Sequence, residues 1–62
     1  MIHLIINIDG ISRSQEFINL TLKELGTILA KFGEKYHLVF ETVRELDPGI
    51  GCTMIIGAIE KG

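Results

Sequence analysis

This chain of 62 residues has no tryptophan, one cysteine, one proline and no run of like charge. A lone cysteine, Cys52, excludes an intrachain disulfide. With only two histidines beside it, no Cys/His set has the spacing of a closed structural zinc site. Both usual staples of a small domain are therefore missing, although a fold of about 60 residues buries only about 60% of the surface its unfolded chain exposes. Oligomerisation is the remaining device.

The formal charge of −2, from eight acidic and six basic residues, is mild and scattered. It lacks the basic footprint that a nucleic-acid partner demands, and one tyrosine with three phenylalanines offers little for base stacking. The apolar opening from Met1 to Ile8 is too short to span a bilayer, and it has neither a basic leader nor a small-residue cleavage site. A cytoplasmic protein with no membrane partner is the expectation, with residues 1–62 as one domain.

What is present is an end-to-end pattern. In Met1 to Asp9, Ile2, Leu4, Ile6 and Ile8 recur at period two, which predicts a strand with one apolar face, closed by turn chemistry at Asp9-Gly10. Ser12 with Gln15 fits a capping box and predicts a helix start. From there Ile18, Leu22, Leu25, Leu29 and Phe32 share one stripe, and Gly33 fits a left-handed C-cap. Gly26 inside this helix suggests close backbone packing.

Tyr36 to Glu45 predicts a second strand, with Tyr36, Leu38, Phe40 and Thr42 toward the helix and His37, Val39, Glu41 and Val43 away from it. Leu46-Asp47-Pro48-Gly49 is a turn, and Gly51 to Lys61 a third strand, in which Gly57 implies a bulge or a close neighbour. The expected fold class is α/β: a single β-α-β-β unit with one helix on a three-stranded mixed sheet. Its first two strands are parallel and its third lies at an edge or between them. One sheet face is left bare, and its apolar content argues for a homo-oligomer.

Asp9-Gly10, the Ser12/Gln15 helix start and the Gly49-Ile50-Gly51 turn together make nearly the whole chain resemble the small subunits of the 4-oxalocrotonate tautomerase family. The resemblance implies a short β-α-β scaffold with a C-terminal hairpin and an oligomeric habit. It also implies a reaction whose general base is an N-terminal proline. Here Met1-Ile2 stands in that place, Ile11 where the family has an arginine and Pro48 where it has an aromatic residue. The scaffold is thus expected without the tautomerase activity, and Arg13 and Arg44 are the only nearby substitutes for the missing arginine.

Other residues are candidates for chemistry on their own. His3 and His37 are expected near the starts of parallel strands on the outer face, with Glu41 beyond His37, where they would hold a metal or a proton-transfer substrate. The bland alternative is a pair of edge or interface residues. Arg13, in the expected first helical turn, would receive an anion; otherwise it is a solvated arginine. Cys52 has no neighbour in sequence to lower its pKa and reads as an inert packing residue.

Two functions of different class follow. One is a non-enzymatic oligomeric binding or regulatory module, whose partners are further copies of itself and a small anionic or apolar ligand or a protein. The other is a small tautomerase or isomerase that uses the Met1 amine or a histidine as base. No residue pattern calls for a cofactor. Met1, His3, Arg13, His37 and Arg44 are the candidate ligand-binding residues.

Overall fold

The structure, a computed structural model, describes residues 1–9, 13–45 and 51–61. Its elements are β1 (Ile2–Ile8), β2 (Arg13–Leu20), α1 (Leu22–Lys35), β3 (Tyr36–Glu45) and β4 (Cys52–Glu60). The fold is α/β, one helix on a mixed sheet of four strands in the order β2-β1-β4-β3. The sheet has one strand more than the sequence pattern predicts, and the additional strand occupies residues assigned there to the start of the helix.

β1 follows its period-two pattern. Leu4 and Ile6 are fully buried, and Ile2 and Ile8 nearly so. β1 pairs antiparallel with β2 and parallel with β4, while β4 pairs antiparallel with β3. β4 is thus inserted between β1 and β3, and those two run in opposite directions rather than parallel. Its apolar run through Ile55 and Ile56 carries no charge before Glu60, as suits a central strand.

Residues 13–20 are a strand for a reason visible in the register. Ile2 lies opposite Leu20 and Leu4 opposite Phe17, so two steps along β1 match three along β2. The surplus residue is absorbed by a bulge in which Asn19 takes the left-handed conformation, φ 58°. Asn is one of the few non-glycine residues that does so at low cost. The bulge returns Leu20 to the buried side with Phe17. The spacing of three between these residues, which imitates a helix, is reconciled with a sheet.

The helix starts at a second capping box. The Thr21 Oγ1 accepts from the Glu24 amide at 3.2 Å, and the Glu24 Oε1 accepts from the Thr21 amide at 3.0 Å. Its inner stripe is Leu25, buried, with Ile28, Leu29 and Phe32 partly buried. Ile18 and Leu22, assigned by periodicity to that stripe, are 66% and 79% exposed. Gly33 lies within the helix instead of capping it. The chain leaves α1 at Tyr36 in extended conformation and enters β3 with no intervening loop. The Lys61 ammonium donates to the Gly33 carbonyl at 2.9 Å, serving an oxygen of the last turn. Gly26 has open space where a Cβ would stand, so no close packing demands glycine there.

Removing the Thr21 acceptor by Thr21→Ala is expected to cost about 0.5–2 kcal/mol, measured by denaturant melts at fixed protein concentration. The Glu24 carboxyl is held below its ordinary 4.5 by the backbone and side-chain hydrogen bonds from Thr21. A depressed carboxyl stabilises the fold above its unfolded pKa and loses that contribution as pH falls through the folded value. Glu24→Gln should therefore flatten the acid limb of the stability profile below pH 4.5.

A second bulge lies in β3. Phe40 is opposite Ile56 and Thr42 opposite Ile55, which leaves Glu41 unpaired. Beyond it the faces exchange: Val43 joins the helix side opposite Met54, and Thr42 moves to the bare side. Both assignments reverse the strict alternation expected for this strand. Phe40 and Val43, each 61% exposed, lie where the helix does not reach. Among the described residues nine buried apolar side chains, including Leu25, Ile56 and Ala58, form one core between α1 and one side of the sheet.

Candidate functional site

The side of the sheet away from the helix is the candidate site. Register places His3, Thr53 and Arg44 in one row across β1, β4 and β3. Glu16, Ile5, Ile55 and Thr42 form the next, and Ser14, Asn7, Gly57 and Val39 a third. Ile59 and His37 pair at the far end. The middle of this face is apolar: Ile5 and Ile55 are partly buried, while Val39 and Ile59 are 51% and 58% exposed.

Two polar struts cross it. The His3 Nε2 lies 2.6 Å from the Glu16 Oε2, a link between β1 and β2 made at their antiparallel pairing. The Asn7 Nδ2 donates to the Glu41 Oε2 at 3.3 Å. That second bond reaches from β3 to β1 over the whole width of β4. It passes above Gly57, where an added Cβ would stand 3.1 Å from the Glu41 Oε1. The Glu41 side chain is thus the close neighbour that a glycine at position 57 implies, and the bulge frees Glu41 to make the crossing.

The candidate residues do not converge. Met1, 62% exposed, is bonded through its carbonyl oxygen to the Cys52 amide at 3.3 Å, at the same end of the sheet as His3 and Arg44. His37 shares their face but stands at the opposite end, because β1 and β3 are antiparallel and not parallel as expected. It therefore makes no group with His3 and Glu41. Among the described residues no three His, Cys, Asp or Glu side chains are placed to hold a metal ion. Cys52 is partly buried against the core.

Arg13 is in β2 rather than in a helical first turn. Its guanidinium is 2.5 Å from the Asp9 carboxylate and 3.9 Å from that of Glu60. The Asp9 hydrogen bond and charge raise its pKa further above its already high value. A cation so matched with carboxylates is a poor anion receptor. Gln15, expected to close a capping box, is in β2 opposite Ile6. Gly10, Ile11, Ser12, the residues Leu46 to Gly49 where a turn is expected, and Ile50 lie outside the described residues.

Hairpin register was the missing signal for the His3–Glu16 and Asn7–Glu41 struts: neither pair is close in sequence, and each appears only when β2 is a strand or β3 is bulged. No described helix is long and apolar enough to cross a membrane. Compared with known proteins, the chain matches no family model, no curated protein and no solved structure.

Proposed function

We propose that this protein is a homo-oligomeric binding or regulatory module without tautomerase activity. Copies pack their bare sheet faces together and hold a small ligand or a protein partner. The observation that carries the reading is a four-stranded sheet which, among the described residues, has a layer on one side only, and whose other side places Ile5, Ile55, Val39 and Ile59 amid polar side chains. Apolar side chains set among polar ones, here divided by the Asn7–Glu41 strut, suit the mixed surface of a protein interface. Sheets stacked about 10 Å apart bury such surfaces well.

Light scattering at micromolar concentration is expected to show an oligomer. Ile55→Glu, which leaves the helix-side core untouched, should dissociate it while the far-ultraviolet circular dichroism persists. A folded monomer of 6.9 kDa for the unmodified chain would overturn the reading.

The runner-up is a small isomerase, favoured by the common placement of Met1, His3 and Arg44 at one end of the face. A primary amine on an exposed Met1 lacks the ring constraint of a proline base. Turnover of a 2-hydroxydienoate, lost on acetylating the amino terminus, would move this reading to first place.

A further inference from the structure

On the helix side of the sheet, an open groove of about 730 Å3 runs between edge strand β2 and the second half of α1. Its floor is a file of three rings. Phe17 meets Phe32 edge-on, with centroids 6.3 Å apart and planes at 81°, and Phe32 stacks on Tyr36 at 6.0 Å. Ile28 closes one wall. Lys31 and Lys35 stand one helical turn apart at the rim, with the Lys35 ammonium 5.5 Å from the Tyr36 ring centroid. Glu34 lies at the same rim. Two lysines against one glutamate leave a net single positive charge there, on a chain whose overall charge is −2.

We propose that this groove binds a small aromatic monoanion, an aryl carboxylate. Small-molecule sites occupy about 300–1,000 Å3 and combine apolar, aromatic walls with a few polar groups that fix orientation. A flat ring fits against the edges of Phe17 and Phe32, where offset and edge-on contacts are favourable. The carboxylate then reaches Lys31 and Lys35, which have no carboxylate within ion-pair distance among the described residues. The bundle of rings exists because Phe17 is brought to the helix side by the strand pairing of β2, opposite Leu4. The groove is on the opposite side of the sheet from the face assigned to self-association, so the two proposals stand separately.

Nuclear magnetic resonance titration of the full chain with 2-naphthoate tests this, with neutral 2-naphthamide as the control. Saturable shifts confined to Phe17, Ile28, Phe32, Tyr36 and their neighbours are expected, with naphthoate bound more tightly than the amide. The Lys31→Gln, Lys35→Gln double variant touches only exposed side chains, and it should weaken naphthoate about three- to tenfold and erase the preference over the amide. Shifts on the bare sheet face, shifts dispersed over the whole chain, equal binding of the two probes, or a double variant that binds as the parent does would each overturn the proposal.

Discussion

Ile6→Ala is expected to lower the unfolding free energy by about 2–5 kcal/mol, the largest effect of any conservative truncation in the chain. Ile6 is fully buried at the middle of β1, opposite Ile56 on one side and Gln15 on the other. Its removal leaves a cavity in the core between the sheet and α1, which a strand hydrogen-bonded on both edges closes poorly. A domain of this size has roughly 3–9 kcal/mol in total, so the variant sits near the edge of folding. Urea melts at one protein concentration measure the loss, because self-association would otherwise make the midpoint concentration-dependent. Ile18→Ala, at a side chain 66% exposed, is the matched control and should change little.

Gly51→Ala is expected to cost on the order of 2–4 kcal/mol, from backbone strain plus a lost hydrogen bond. Gly51 has φ +127°, which L side chains rarely adopt, and an added Cβ would fall 1.7 Å from the Met1 carbonyl oxygen. That oxygen accepts from the Cys52 amide, so displacing it opens the first rung of the β1–β4 pairing. Gly26→Ala should do the opposite. With nothing near the new methyl group and a helical backbone, it should add about 0.5–1 kcal/mol. The two substitutions are chemically identical, and their opposite signs in the same melt test the described backbone directly.

The buried side of β1 was legible because period two survives any choice of partner. The start of the helix was not. Ser12-x-x-Gln15 and Thr21-x-x-Glu24 obey the same capping grammar, and nothing local separates them. The decision belongs to β1, which has a second edge to satisfy and takes residues 13–20 to do it. Bulges hid the rest. Phe17 and Leu20, like Phe40 and Val43, stand three apart on one side of a strand, a spacing that an unbulged strand cannot give. Of the candidate site, the bare face was foreseen from counting layers. The pairing of His3 with Glu16, the isolation of His37 and the capture of Arg13 by Asp9 all depend on strand order and direction. Those are tertiary facts that no window of sequence carries.

The place of β4 governs how the molecule can be made. On a ribosome β1 and β2 emerge before the helix and β3, yet the backbones of β1 and β3 are joined, among the described residues, only through the strand synthesised after both. Until β4 arrives, the nascent chain has a hairpin, a helix and an isolated extended segment, with one long edge of β1 open to any passing strand. The β3–β4 pairing is local, starting at Glu45 opposite Cys52, whereas the β1–β4 pairing sets Ile2 beside Cys52 and spans most of the chain's length. Such distant pairings make folding slow relative to local ones and lengthen the interval in which intermolecular pairing competes. The joining of β1 to β4, and not the formation of either local strand pair, should therefore be the slow step by which this sheet closes.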